Sequence, residues 1–120
     1  MSEQPFIYDY IILPFVLIVF KRDRRAFTDF KFNYLYERMF DHLIELVQKD
    51  LIANKQFIYQ NKMEIKLLER SEYIYKYKIR QHCHERIIEF SRQELKELTE
   101  KYIRDYFFKK GVLPSNQSQR

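Results

Sequence analysis

Glycine, cysteine and tryptophan are almost missing from this chain of 120 residues, which has one glycine, one cysteine and no tryptophan. The single glycine, Gly111, leaves little backbone freedom for tight hairpins or for the glycine-rich loops that hold phosphate groups. With Cys83 alone, the chain cannot form an internal disulfide bond, which fits a reducing compartment. These absences favour a mostly helical protein without the common catalytic loops.

Aromatic residues are abundant instead, with ten tyrosines and eleven phenylalanines. Each such side chain buries roughly 150–250 Å², so a small domain can build a substantial core from them. The hydrophobic fraction of 46% and the charged fraction of 32% are ordinary for a globular protein. We predict one domain over residues 1–111, followed by a flexible tail over residues 112–120.

The segment from Ile11 to Phe20 is apolar throughout, and basic residues follow it. A membrane-spanning helix needs about 20 apolar residues. This run is shorter, Pro14 lies inside it, and extending it towards the N-terminus would include the charged Asp9. A secretory signal carries its positive charges before the apolar run rather than after it. We therefore expect a buried helix in a cytoplasmic protein, and no membrane partner.

Two helices are predicted in the first half of the chain. The first runs from about Pro5 to Arg25, with a kink at Pro14 because proline lacks a backbone donor. The second runs from Asn33 to Gln60, since apolar residues recur at steps of three and four along it. Asn61 is a suitable residue to end this helix.

The stretch over residues 62–79 allows two interpretations. Apolar residues alternate with polar ones on both sides of Ser71, as in two strands. A hairpin between them would turn through residues 69–72, which contain no Gly, Asn or Asp to adopt a positive φ. We therefore predict a short extended link over 62–68 and a third helix from Ser71, and leave open whether strands occur.

The last helix has the clearest signals in the sequence. Ser91 and Glu94 have the spacing of a capping box, in which each side chain accepts a hydrogen bond from the other's backbone. Lys109, Lys110 and Gly111 suit the end of that helix. The predicted fold is therefore all-α, a small four-helix bundle with a Pro-kinked first helix and a long second helix.

Sites for catalysis, metals or cofactors are not indicated. His82, Cys83 and His84 are adjacent, and consecutive residues of a helix point about 100° apart, so they cannot converge on one ion. For the same reason the histidines cannot serve Cys83 as an aligned base. We predict a non-enzymatic protein without a cofactor or metal, in which Cys83 packs as a small hydrophobic residue.

The apolar first helix favours an interaction protein, because a small monomer has difficulty surrounding such a helix completely. Pairing with a second copy or docking on a partner would cover its outer side. We expect a regulatory or interaction protein, as a homodimer or with another protein. The predicted partner surface consists of Ile11, Phe15, Ile18 and Val19.

Nucleic-acid binding is the alternative function. The chain carries a net charge of +5, and residues 61–120 hold fourteen basic against nine acidic residues. Basic side chains alternate with tyrosines on both sides of Tyr77, which is a pattern that can contact phosphates and stack on bases. The candidate phosphate contacts are Arg22, Arg24, Arg25, Lys76, Lys78 and Arg80.

Two stretches carry a family resemblance. The sequence YIILP at residues 10–14 with the charged segment KRD at 21–23, and VQKDL at 47–51, resemble a group of small proteins of spore-forming Gram-positive bacteria and their phages. The terminal helix ending in Tyr106 is similar to the same group. The resemblance implies a cytoplasmic, mostly helical protein without an assigned activity, and it supplies no functional residues.

Overall fold

Helices surround one face of a small β-sheet in the computed structural model, which describes residues 4–27 and 31–108. The elements in these residues are α1 (Gln4–Ala26), α2 (Asn33–Gln60), β1 (Met63–Arg70), β2 (Ile74–Gln81), β3 (His84–Ser91) and α3 (Arg92–Phe108). The fold is therefore α+β, and the prediction of an all-α four-helix bundle is wrong. The predicted tail at 112–120 and the helix-ending residues 109–111 lie outside the described residues.

The sheet is an antiparallel meander in the order β1-β2-β3. Ile79 of β2 lies opposite Ile65 on one side and Arg86 on the other. Because side chains alternate along a strand, Tyr77 and Ile79 face the helices, where both are buried. The alternation over residues 63–79 is thus that of strands, and the predicted third helix from Ser71 does not exist.

The two turns of the meander form without glycine. Between β1 and β2, the Ser71 hydroxyl accepts hydrogen bonds from the backbone N–H groups of Tyr73 and Ile74, at 3.2 and 3.1 Å. Such serine turns replace a turn that would otherwise require a special backbone conformation. Between β2 and β3, His82 adopts a positive φ of 57° at the first of two turn residues. Cys83 is the second of these residues and is exposed, so the prediction that it packs in the core is wrong.

Helix α1 lies at the centre of the molecule, where α2, α3 and the inner face of the sheet pack around it. Its buried residues, which are spread over most of the helix circumference, are Ile7, Ile11, Ile12, Leu13, Val16 and Phe20. Pro14 lies within the uninterrupted helix on its exposed side. The bounds of α1 agree with the predicted range to within one residue at each end. The kink at Pro14, where the backbone lacks an N–H donor, stays a prediction.

Helix α2 runs beside α1 and has the predicted bounds, Asn33–Gln60. Its first three turns are held against the end of α1 by side-chain contacts. Phe27, just after α1, stacks on Tyr36 with ring centroids 4.4 Å apart. The Arg24 guanidinium donates to Asp41 at 2.6 Å. These contacts hold α1 and α2 together as a helical hairpin.

The capping box at the start of α3 is confirmed. The backbone N–H of Glu94 donates to the Ser91 hydroxyl at 3.0 Å, and the backbone N–H of Ser91 donates to the Glu94 carboxylate at 2.8 Å. Two backbone donors that a helix start leaves without helical partners are thereby satisfied.

We expect Ser91→Ala to lower the free energy of unfolding by about 1 kcal/mol, the typical cost of losing an N-cap hydroxyl. Denaturation by urea, followed by circular dichroism, measures this change. Ser91→Thr keeps the hydroxyl and should recover most of the loss. Equal destabilisation by both substitutions would show that the hydroxyl is not the stabilising group.

Candidate functional site: an apolar groove between α1, β2 and α3

A surface groove opens between α1, the start of β2 and α3, with a volume of about 420 Å³. We call it the α1–α3 groove. Its apolar lining consists of Phe15, Ile18 and Val19 from α1, Tyr75 from β2, and Leu95 and Ile103 from α3. The floor of the groove is therefore largely hydrophobic.

Contacts within the floor hold these side chains in place. Phe15 packs edge-to-face on Tyr75, with ring centroids 6.0 Å apart. Thr99 also lines the groove, but its hydroxyl donates to the backbone carbonyl of Leu95 at 2.7 Å. The backbone N–H of Arg92 donates to the carbonyl of Tyr73 at 3.0 Å, which fixes the first turn of α3 beside the β1–β2 turn. The groove is thus bounded by elements that are tied to one another.

Charged side chains line the rim of the groove. Three are basic and one is acidic: Arg22, Arg92, Lys96 and Glu100. Arg22 forms an exposed ion pair of 3.2 Å with its neighbour Asp23, and such pairs contribute little because solvent screens them. The rim therefore adds a positive potential to an apolar floor.

The predicted partner surface is divided between this groove and the core. Phe15, Ile18 and Val19 line the groove, and the Ile18 side chain is 62% exposed. Ile11 is buried in the core instead, so it offers no surface to a partner. The groove residues on α3, which complete the site, have no distinguishing signal in the sequence because Leu95 and Ile103 match an ordinary core stripe.

The candidate phosphate contacts form two separate groups. Arg22, Arg24 and Arg25 belong to the last turns of α1, where Arg24 is paired with Asp41. The other three project from β2 on the outer face of the sheet, which is turned away from α1 because Tyr77 and Ile79 point inward. The structure does not bring the two groups together.

The basic residues of β2 are matched by glutamates on the neighbouring strands. Ion pairs join Lys76 to Glu69 at 3.6 Å and Lys78 to Glu85 at 3.9 Å. Arg80 pairs with Glu64 at 2.8 Å. Each cation of this strand therefore has an acidic partner within 4 Å. The outer face of the sheet alternates in charge and does not present a continuous cationic surface to a phosphate backbone.

A second cleft, of about 470 Å³, lies where α1, α2 and α3 meet, and it is acidic. The hydroxyl of Tyr102 donates to Asp9 at 2.6 Å, and that of Tyr106 donates to Asp50 at 2.6 Å. Burial, followed by the hydrogen bond to the carboxylate, raises the pKa of each tyrosine above its ordinary range. The two pairs join α3 to the other helices, so we interpret them as structural.

The sequence contained one signal for this cleft. Asp9 is the only charged residue in the apolar part of α1, residues 5–20, and such a group needs a partner when it is partly buried. Asn54 provides a further link, since its side-chain N–H donates to the carbonyl of Phe6 at 2.8 Å. The Asn54 oxygen is buried and has no hydrogen-bond partner among the described residues.

Two further features concern metal binding and the membrane. Within residues 4–27 and 31–108, no three His, Cys, Asp or Glu side chains are grouped so that they could hold a metal ion. In that same part of the chain, α1 is long and apolar enough to cross a membrane by length and composition. The core helix of a soluble protein meets the same criteria, and α1 supplies six buried residues to the core.

These observations define a small α+β protein with a central apolar helix and a cation-rimmed hydrophobic groove. The chain belongs to the YhjD protein family, because the model of that family matches residues 1–111. This match confirms that the chain is a member of a recognised family. Neither the curated proteins nor the solved structures include a significant match.

Proposed function

We propose that the protein is a non-enzymatic interaction protein that binds a segment of another protein in the α1–α3 groove. This proposal rests mainly on the exposure of the Ile18 side chain. A large aliphatic side chain stands 62% exposed at the edge of an apolar groove, in the middle of a helix that is otherwise a core element. Apolar surface of this kind, surrounded by polar residues, is typical of an interaction site.

The chemistry of the groove favours an amphipathic helix with acidic flanks as its occupant. Such a helix places apolar side chains at steps of three and four into a hydrophobic groove. Its acidic residues would lie against the basic rim, where Arg92 and Lys96 are exposed. Complementary charges increase the association rate and fix the orientation of the bound segment.

A second copy of the chain fits the groove less well. In a two-fold dimer the same patch occurs on both subunits, so basic rims would face each other. Like charges across an interface oppose association. The homodimer stays a prediction that the oligomeric state can test, and the groove itself favours a different, acidic partner.

Nucleic-acid binding also stays a prediction, which the distribution of charge does not favour. The ion pairs on the outer face of the sheet place a glutamate beside each basic residue of β2. A nucleic-acid site requires cations that are available to neutralise several phosphates together.

We extend the proposal to two further properties. The first is a cytoplasmic location, and the second is occurrence in spore-forming Gram-positive bacteria and their phages. The second point rests on the short motifs at residues 10–14, 21–23 and 47–51. The cytoplasmic location is supported by the single cysteine, which is exposed in the β2–β3 turn and has no disulfide partner in the chain.

A displayed library of helical peptides with random surface positions would test the groove. We expect peptides selected on the wild-type protein to combine apolar residues at three- and four-residue spacing with Asp and Glu. Ile18→Asp should weaken their binding roughly 30-fold, the effect of losing an interface hot spot. Because Ile18 is exposed, the substitution should change the free energy of unfolding by less than about 1 kcal/mol. Fluorescence anisotropy of labelled peptides measures the affinities.

Ile52→Asp is the matched control, since Ile52 is an isoleucine on α2 with 61% exposure and does not line the groove. It should leave peptide binding unchanged. Equal losses for both variants, or selected peptides without acidic residues, would contradict the proposal. A dimer in light scattering that becomes monomeric only with Ile18→Asp would identify a second copy as the occupant instead.

A further inference from the structure

The end of the helical hairpin where α1 stops and α2 begins exposes large apolar side chains. Phe32, Tyr34 and Leu35 are 53%, 56% and 53% exposed, although each is large and hydrophobic. They occupy the N-cap and the first turn of α2. We call these three residues the hairpin tip.

Basic side chains lie beside the hairpin tip. Lys31 directly precedes the N-cap residue Phe32, and Arg38 follows Tyr34 and Leu35 by one turn of α2, so it lies on the same side of the helix as they do. Lys21 lies farther away, more than one turn before the end of α1. Lys21, Lys31 and Arg38 are exposed, and within the described residues no ion pair engages them. The Lys31 ammonium lies 5.7 Å from the ring centroid of Phe32.

The charge of this segment is positive overall. Residues 21–38 contain six lysines and arginines against three acids, a net charge of +3 in eighteen residues. Two of these arginines, Arg22 and Arg24, are paired with Asp23 and Asp41. Lys31 and Arg38 are the two cations nearest in sequence to the hairpin tip, and neither forms an ion pair with another residue of the described ranges.

We infer that the hairpin tip docks on the surface of an anionic lipid bilayer. Phenylalanine, tyrosine and leucine bury in the region between the headgroups and the acyl chains, while lysine and arginine contact anionic headgroups. Docking requires no rearrangement of the core, because the stack of Phe27 on Tyr36 and the Arg24–Asp41 pair hold the hairpin together. Helix α1 keeps its buried position, and the protein lies on the bilayer without crossing it.

The shape and chemistry of the hairpin tip favour a bilayer over a nucleic acid. Proteins that bind single strands use a basic groove with aromatic side chains on which bases stack. Here the apolar residues form the end of a helical hairpin, and Leu35 has no ring for stacking. An apolar end surrounded by cations complements a flat anionic surface with an apolar interior.

The absence of tryptophan makes a direct test possible. Tyr34→Trp places a single fluorescent reporter in the hairpin tip, and Tyr59→Trp places one at an exposed site near the other end of α2. With vesicles of equal parts phosphatidylglycerol and phosphatidylcholine, we expect a blue shift of emission for Tyr34→Trp and none for Tyr59→Trp. Vesicles of phosphatidylcholine alone should produce no shift, and added salt should reverse it.

Charge removal provides the second measurement. The double variant Lys31→Gln/Arg38→Gln should weaken binding to the mixed vesicles on the order of 25-fold in co-sedimentation, about fivefold for each cation near the surface. The matched control Lys49→Gln/Lys55→Gln removes two exposed lysines from the same helix, away from the hairpin tip, and should leave binding nearly unchanged.

Three results would overturn this inference. The first is no emission shift for Tyr34→Trp with the anionic vesicles. The second is an equal shift for both tryptophan variants, which would mean that the whole molecule unfolds or inserts. The third is a shift that single-stranded RNA produces and vesicles do not, which would make nucleic acid the ligand of the hairpin tip.

Discussion

Phe20→Ala is expected to lower the free energy of unfolding by about 3–5 kcal/mol, the cost of truncating a buried phenylalanine. Phe20 lies in the centre of the core and is almost completely buried. Its ring meets Tyr106 and Phe107 of α3 edge-to-face, with centroids 6.2 and 6.0 Å away, and it also contacts Phe40 of α2. Truncation would remove the side chain that joins all three helices and leave a cavity among rigid rings.

Urea denaturation followed by circular dichroism measures this loss. Phe32→Ala is the control, because Phe32 is about half exposed and packs little. It should change the free energy of unfolding by no more than about 0.5 kcal/mol. Similar small effects of both substitutions would mean that Phe20 is not a central core residue and that the packing described here is incorrect.

The double substitution Tyr102→Phe/Tyr106→Phe should lower the free energy of unfolding by about 3–6 kcal/mol at neutral pH, because each hydrogen bond to a charged group contributes roughly 1.5–3 kcal/mol. Each hydroxyl donates to a carboxylate at 2.6 Å, from α3 to Asp9 of α1 and to Asp50 of α2. Without these donors, two partly buried carboxylates each lose a short hydrogen bond. Tyr59→Phe, at an exposed site, is the control and should have almost no effect.

The same tyrosines predict how stability depends on pH. Burial and the hydrogen bonds to the carboxylates raise the pKa of Tyr102 and Tyr106 in the folded protein above the unfolded value of about 10. The folded state therefore holds these protons more tightly, so their contribution is complete below about pH 10 and is lost as the pH rises further.

Denaturation measured from neutral pH to about pH 11 tests this sign, because the unfolded tyrosine begins to ionise near pH 10. The wild-type protein should lose stability above that pH, and the double variant should lose less over the same range. An equal alkaline loss in both proteins would show that other groups, such as the buried Tyr77, determine the alkaline limit.

The helices were predictable from the sequence because their signals are local. The bounds of α2 agree with the predicted Asn33–Gln60, and the Ser91–Glu94 capping box forms with the predicted hydrogen bonds. Both depend on residues three or four apart along the chain, which interact wherever a helix forms.

The sheet could not be predicted from the absence of glycine, because neither of its turns requires glycine. The alternation over residues 63–79 indicated strands, yet no residue suited to a positive φ stood between them. In the structure the Ser71 hydroxyl replaces that requirement in one turn, and His82 adopts the positive φ in the other. Alternation was the stronger signal, since it reflects burial of a whole face of the sheet.

The candidate site was predictable only in part. Phe15, Ile18 and Val19 line the groove, but Ile11 is buried beside the inner face of the sheet. Which side of an all-apolar helix remains open depends on elements distant in the chain. The glutamates beside Lys76, Lys78 and Arg80 could not be assigned either, because the register of the strands determines those pairs.

The central position of α1 has a consequence for synthesis of the chain. Helix α1 leaves the ribosome before α2, the sheet and α3, which cover it, and Tyr106 of α3 is among the last residues to reach it. At a synthesis rate of about 5–20 residues per second, several seconds pass between the synthesis of α1 and the formation of its last contacts with α3. Until α3 has been synthesised, part of the apolar surface of α1 therefore stays uncovered in the nascent chain, where other apolar segments can contact it.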